Sequence, residues 1–98
     1  MYIVKKHKAD PTNTLLAIVD EELFGKKIEE ENKILDLTSS FYKGEIKSEE
    51  EVLKMIKQVK HLNVVGEKIV SLLKKEGLVD NVSEIDGVPY AQSTILRG

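Results

Sequence analysis

The first twenty residues have the apolar and polar pattern of a β-hairpin. Residues 2–8 begin with β-favouring side chains, and residues 10–13, Asp-Pro-Thr-Asn, have the composition of a turn. Residues 15–19 are a continuous apolar run, whereas a strand with one solvated face would alternate. This run predicts a strand covered on both faces, either within the chain or by helices on one face and a partner on the other.

Residues 20–46 predict short elements. Two glutamates follow Asp20 and a glycine stands at Gly25, which indicates one helical turn with Asp20 as its N-cap and Gly25 as its left-handed end. The polar break at residues 29–32 separates two short apolar stretches and predicts a second hairpin. Residues 38–46 combine capping residues, aromatic residues and a glycine, and they predict a short turn that anchors Phe41 in the core.

Two helices are predicted next. Ser48 and Glu51 have the spacing of a capping box, and the apolar stripe that follows predicts a helix over residues 49–61. Asn63 is the predicted N-cap of a second helix, which ends at Gly77. The two stripes consist of Val52, Met55, Ile56 and Val59, and of Val65, Ile69, Leu72 and Leu73.

The last segment predicts another hairpin. Asp86 and Gly87 are the residue types of a type I′ turn, and they join predicted strands at residues 82–85 and 88–96. Pro89 has no amide hydrogen, so its strand should lie at a sheet edge or pair only beyond that residue.

Strands, then two helices, then strands predict an α+β fold. We expect a mainly antiparallel sheet of about five strands with two consecutive helices on one face, in a single domain over residues 1–98. The predicted core consists of the helix stripes with Ile18, Leu35 and Ile95.

Composition excludes several classes of protein. The chain has no cysteine and two histidines, which rules out a disulfide framework and disfavours a closed zinc site, so no metal or cofactor is expected. No apolar run approaches the ~20 residues of a membrane span, and we expect a cytoplasmic protein. The abundance of Lys and Glu is typical of thermophile proteins, although an AT-rich genome would also favour lysine.

Charge gives little support for strong nucleic-acid binding. Fifteen Lys and Arg residues stand against seventeen Asp and Glu, a net charge of −2, and Arg97 is the one arginine. If Lys54, Lys57 and His61 share a helix face near the lysines of residues 5–8, they would form a phosphate-binding patch. A solvated helix face is the alternative, and we favour it.

No catalytic residue can be assigned from the sequence, and whether the protein is an enzyme stays open. His61 at a helix end is explained by the helix dipole, and His7 is expected to face solvent from a strand. The acidic runs at residues 20–22, 29–31 and 49–51 lie where turns and helix starts favour carboxylates.

Two polar segments are the more specific candidates. Gly66 lies in the first turn of the predicted second helix, where a glycine permits close approach by a backbone or an anion. Tyr90 and Gln92 share one face of a strand, where a hydroxyl and an amide can bind a ligand.

The order of these segments resembles an archaeal family, the domain of unknown function 424. The resemblance covers nearly the whole chain and implies an archaeal, cytosolic small protein with no established activity or cofactor. It rests on the motifs Val-Asp-Glu-Glu-Leu at 19–23, Phe-Tyr-Lys-Gly-Glu at 41–45, Asn-Val-Val-Gly-Glu at 63–67, Gly-Leu-Val-Asp at 77–80 and Gly-Val-Pro-Tyr-Ala-Gln at 87–92. The family pattern has histidine where this chain has Tyr90, and a phenol of pKa about 10 disfavours a general-base role there.

Our sequence-based hypothesis is a non-enzymatic binding module for a macromolecule. RNA or the translation apparatus is the candidate partner, no membrane is expected, and a homo-oligomer is compatible with the pattern. The alternative is a small-anion or nucleotide-binding enzyme that uses the helix start at Asn63 as its phosphate seat. The hypothesis requires that distant segments meet in one recess, and its binding residues are Tyr42, Asn63, Gly66, Glu67, Tyr90 and Gln92.

Overall fold

The computed structural model describes residues 1–10 and 13–95, with the side chains of residues 9 and 10 left undescribed. Each of the three predicted hairpins is present. The strands are β1 (Tyr2–Asp10), β2 (Asn13–Asp20), β3 (Lys27–Glu30), β4 (Lys33–Asp36), β5 (Glu45–Lys47), β6 (His61–Val65), β7 (Ser83–Ile85) and β8 (Val88–Thr94). The helices are α1 (Glu49–Ile56) and α2 (Glu67–Lys75), with short 3₁₀ turns at Glu21–Leu23 and Ser40–Tyr42.

The predicted α+β class is confirmed. Six strands form one sheet in the order β5-β1-β2-β6-β8-β7, and β3 and β4 form a separate two-stranded sheet. Each neighbouring pair is antiparallel except β2 and β6, which are parallel. The main sheet is therefore mostly antiparallel, with six strands where about five were expected.

Both helices pack on one face of the main sheet, as predicted. The side chain of Ser48 accepts a hydrogen bond from the Glu51 amide at 3.2 Å, and the Glu51 carboxylate accepts one from the Ser48 amide at 3.1 Å, so the capping box is present. The helix-side core includes Leu16, Ile18, Val52, Ile56, Leu62, Val64, Ile69 and Leu73, with Ile95 packed against it.

The small sheet and the second 3₁₀ turn pack on the opposite face. Ile28 of β3, Leu37 and Tyr42 are buried there against Ala17 and Val19 of β2. The apolar run of β2 is therefore covered on both faces within this chain at residues 16–19, while Leu15 at its start is only half-buried. Two details of the predicted core were wrong. Leu35 packs on this second face, and Tyr42, not Phe41, is the buried aromatic residue of its turn.

The predicted boundaries of the helices were also wrong. Helix α1 ends at Ile56, and residues 61–65, which were assigned to the helices and their junction, form β6. Asn63 is thus a strand residue and Gly66 is the N-cap of α2. The alternation of buried and half-buried side chains along β6 suits a strand, and its pairing with β2 decides the conformation.

The predicted ends of the later elements agree with the structure. The amide of Leu78 donates to the Leu73 carbonyl and that of Gly77 donates to the Lys74 carbonyl, a Schellman motif at the end of α2. Asp86 and Gly87 both have positive φ angles. Strand β8 lies between β6 and β7, so it is not at an edge. It pairs with β6 only from Tyr90 onward, but it pairs with β7 already at Val88 and Pro89, so the prediction for Pro89 holds for the β6 side alone. The predicted extension of this strand to residue 96 lies outside the described residues.

A buried carboxylate joins β2 to α2. Asp20 is 2% exposed, and it does not cap the 3₁₀ turn that follows it, contrary to the prediction. Its two carboxylate oxygens accept hydrogen bonds from the amides of Lys68 and Ile69, each at 2.9 Å. These are the second and third amides of α2, which an N-cap side chain would normally bind. A Cβ atom on Gly66 would lie 2.3 Å from Cγ of Asp20, so the glycine leaves room for a cap supplied by another strand.

We expect Asp20→Ala to destabilise the fold by about 1–3 kcal/mol, because it leaves the buried Ile69 amide and the partly buried Lys68 amide without an acceptor. Each kcal/mol should lower Tm by about 4–8 °C for a domain of this size. The exposed Asp80 offers a control, and Asp80→Ala should change the free energy of unfolding by less than about 0.5 kcal/mol. Thermal and urea unfolding measure both variants, and equal effects would contradict the role of Asp20 as a cap.

Asp20 should also give the stability a specific pH dependence. Burial raises the pKa of the Asp20 carboxyl, and the amide hydrogen bonds only partly oppose this. The folded state then binds this proton more tightly than the unfolded state. The associated stability is fully present below the ordinary carboxyl pKa and is lost as the pH rises through the folded pKa. The difference in the free energy of unfolding between the wild type and Asp20→Asn should therefore fall as the pH rises through the acid range. A difference that rises with pH would contradict this.

Candidate binding face

The register of four strands arranges the side chains of the second sheet face in rows. Residues that are directly paired on neighbouring strands point to the same face of a sheet. The inner row is Ile3, Val19, Val65 and Tyr90; the middle row is Lys5, Ala17, Asn63 and Gln92; the outer row is His7, Leu15, His61 and Thr94.

Only part of this face is covered. In the inner row Ile3, Val19 and Val65 are buried and Tyr90 is half-buried. In the other two rows Lys5, Gln92 and Thr94 are exposed. At the usual strand spacing the two rows span an area about 14 Å by 7 Å. We call the following residues of these rows the open face: Lys5, His7, Leu15, His61, Asn63, Gln92 and Thr94.

Phe41 borders the open face through a contact with His7. The two rings are stacked, with centroids 4.3 Å apart and planes 14° from parallel, and Nε2 of His7 is 2.8 Å from the Phe41 carbonyl oxygen. The hydroxyl of Ser39 accepts a hydrogen bond from the Phe41 amide at 3.1 Å, which holds the turn. His7 is therefore half-buried and held in place, whereas the sequence predicted a solvent-facing residue.

Tyr42 lies beneath the open face and contacts Asn63. Its side chain is 8% exposed, and its hydroxyl is hydrogen-bonded to the Asn63 amide. Burial raises the pKa of the Tyr42 phenol, and the Asn63 hydrogen bond opposes this only in part, so the phenol is neutral at ordinary pH. Tyr42 thus positions the Asn63 amide, and Asn63 itself is half-buried at the surface.

A recess of about 320 Å³ lies at one end of the open face. Its lining includes Leu15, His61, Gln92 and Thr94, together with Leu62 and Ser93. The Thr94 hydroxyl is 3.1 Å from Nδ1 of His61 and fixes the position of the imidazole. Sequence reasoning missed His61 as a residue of this face because it placed His61 on a helix. The polar residues at 61 and 63 around the apolar Leu62 were the available signal for a strand.

The structure brings together four of the six predicted binding residues and separates the other two. Tyr42, Asn63 and Gln92 meet on the open face, and Tyr90 is in the neighbouring inner row. Gly66 is buried beyond the end of β6, where its amide donates to the Pro89 carbonyl at 2.8 Å.

Glu67 lies on the exposed first turn of α2, away from the open face. With Asp20 and Glu22 it lines a separate recess of about 140 Å³. Within the residues that the structure describes, no group of three or more His, Cys, Asp or Glu side chains could hold a metal ion.

The phosphate seat at Asn63 was a wrong prediction. Asn63 is in the middle of β6, far from any helix start, and the first turn of α2 already binds the Asp20 carboxylate. A bound anion there would stand beside a buried negative charge. The structure therefore removes the basis of the anion-binding alternative.

The lysine patch on α1, which we considered less favoured than a solvated helix face, is not formed as described. His61 is not on the helix, and Lys54 pairs with Glu50 at a distance of 3.8 Å on an exposed surface. The charge of the open face is different. Its ionisable side chains are Lys5, His7 and His61, and none of its residues is acidic, although the chain has seventeen acidic residues.

Removal of the Tyr42 hydroxyl should test how Asn63 is held. We expect Tyr42→Phe to lower the free energy of unfolding by about 0.5–1.5 kcal/mol, because the Asn63 amide loses its hydrogen-bond partner. Tyr90→Phe, on the same face, is the control and should cost less than about 0.5 kcal/mol. Urea unfolding measures both, and a neutral Tyr42→Phe would show that Asn63 is positioned by other contacts.

Comparisons with known proteins identify a family and a fold. No curated protein matches the chain. A crystal structure of an uncharacterized conserved protein from the archaeon Methanopyrus kandleri is similar, with a TM-score of 0.80 and 24% sequence identity. The match covers 97% of this chain and 91% of that one, and it supports the fold alone.

The model of the family of proteins of unknown function DUF424 matches residues 7–96, which confirms the resemblance found in the sequence. In the described chain neither helix has the length and apolar content that crossing a membrane requires. The chain belongs to the DUF424 family.

Proposed function

We propose that this protein is a non-enzymatic binding module that binds single-stranded RNA on the open face. One observation carries the proposal: an uncovered area of sheet combines cationic, amide and imidazole side chains and has no acidic residue. The arrangement suits a partner that is negatively charged and rich in hydrogen-bonding groups.

The chemistry of the face favours unpaired RNA over a duplex. Single-stranded RNA presents the faces of its bases for stacking and their edges for hydrogen bonds, and sheet surfaces are a common site for its recognition. The amides of Asn63 and Gln92 each supply donors and an acceptor, and they are paired across β6 and β8. A duplex would present mainly phosphates, which require more cations than the single lysine on this face.

Electrostatics should contribute only modestly to this binding. Lys5 is the single lysine among the open-face residues, and the chain as a whole carries a net charge of −2. Each phosphate contact to a single strand contributes about −0.7 to the slope of log K against log salt. With Lys5 as the one cation in contact, the slope should be about −0.7. Affinity must then come largely from the bases.

RNA binding can be tested by fluorescence anisotropy with a labelled single-stranded RNA of mixed sequence over a range of salt concentrations. We expect binding with the shallow slope given above. Lys5→Glu should weaken binding and reduce the slope by about one contact, since it replaces the lysine of the open face. Lys54→Glu makes the same charge change on α1 and should leave binding unchanged, because that helix lies across the sheet.

Two results would overturn the proposal. One is the absence of any RNA binding at low salt, and the other is an equal effect of the two substitutions. If native extract yields a stoichiometric protein complex while the RNA titration shows no binding, the partner is a protein and the assignment to RNA is wrong.

A further inference from the structure

We infer that the recess between Leu15, His61, Gln92 and Thr94 is a binding site for one nucleobase. This inference rests on the proposed function and adds a specific contact to it. The base would lie on the Leu15 side chain and against the His61 ring, with its hydrogen-bonding edge toward the Gln92 amide.

The size and shape of the recess suit a small ring system. Its volume of about 320 Å³ is at the lower end of the range for small-molecule sites, which is about 300–1,000 Å³. Leu15 and His61 are half-buried and directly paired across β2 and β6, so an apolar side chain and a ring lie next to each other on the floor. Flat heteroaromatic rings stack on such surfaces.

The lining contains no lysine, arginine or acidic side chain. Gln92 contributes an exposed amide and Thr94 a hydroxyl, and the hydroxyl lies 3.1 Å from Nδ1 of His61. A phosphate seat would need an arginine, a lysine or several convergent backbone amides. No lysine lines this recess. Lys5 lies in the middle row on β1, and Gln92 lies at the other end of the same row on β8. This division matches a nucleotide whose base occupies the recess and whose phosphate lies toward Lys5.

The Gln92 amide favours a nucleobase over an apolar ring. An amide presents one donor group beside one acceptor, the pattern that can pair with adjacent acceptor and donor atoms of a base. Gln92 is held in the sheet by the pairing of β8 with β6, so the position of its backbone is fixed by strands on both sides.

The test compares an RNA oligonucleotide with an otherwise identical oligonucleotide that lacks its bases. We expect the abasic strand to bind at least about fivefold more weakly, since stacking on one base contributes at this scale. Gln92→Leu should remove much of this difference, because it weakens binding of the intact strand and leaves that of the abasic strand unchanged. Gln92 is exposed, so its substitution should not affect Tm.

Control variants separate the two proposals. Thr94→Val keeps the side-chain shape and should weaken binding of the intact strand, because the contact with His61 is lost. Lys5→Glu should weaken binding of the intact and abasic strands equally. If Gln92→Leu and Thr94→Val leave the difference between the intact and abasic strands unchanged while Lys5→Glu still weakens binding of both, the RNA-binding function stands and the base site in this recess is wrong. If no strand binds, both are wrong.

A competition experiment shows whether the recess binds a free nucleotide or a base within a strand. Displacement of the oligonucleotide by a nucleoside monophosphate, and not by ribose 5-phosphate, would place free nucleotides among the ligands of the recess. Retention of the oligonucleotide would assign the recess to bases within a strand. Displacement by ribose 5-phosphate with equal efficiency would show that the recess binds phosphate and would overturn the inference.

Discussion

The hydrogen bonds of Asp20 with the start of α2 fix the part of the fold on which the open face depends. Strand β6 continues into α2 through Gly66 alone, so a cap supplied by the end of β2 ties both the strand and the helix to β2. The one parallel pair of the sheet is thereby held at its carboxyl end. Its register places His61 beside Leu15 and Asn63 beside Ala17. A buried carboxylate is costly, and here two amides and the positive end of a helix dipole offset part of its lost hydration.

The small sheet then determines how much of the second face is available. Its two strands have four residues each, and they and the turn at Ser40–Tyr42 cover the apolar inner row. Beyond that row β1, β6 and β8 change from apolar to polar side chains on this face, while β2 keeps Ala17 and Leu15. Tyr42 marks the border, because it is buried yet its hydroxyl reaches Asn63. The same tyrosine completes the core and orients a surface amide, and this links the stability of the fold to the geometry of the face.

Local signals in the sequence were sufficient for the hairpins, the capping box and the fold class, because each depends on residues close together in the chain. Asn63 shows where such signals fail. An asparagine before a helical stripe is the pattern of an N-cap, but the same asparagine pairs with Ala17 across forty-six positions, and only that pairing makes it a strand residue. Asp20 was recognised as a cap, but its helix was misassigned for the same reason. The meeting of Tyr42, Asn63 and Gln92 depends on the register of three elements, which no local pattern contains.

Net charge was a poor guide to this surface for a related reason. The balance of fifteen basic and seventeen acidic residues describes the whole chain, whereas binding depends on which charges share a face. Acidic side chains occur in the small sheet and on α1, where Glu50 and Glu51 pair with lysines, and the middle and outer rows carry one lysine and no acidic side chain. Because that lysine is a single charge, a nucleic acid cannot be held there by its phosphates alone. The apolar and amide groups of the middle and outer rows must supply the remaining affinity, and such groups recognise bases.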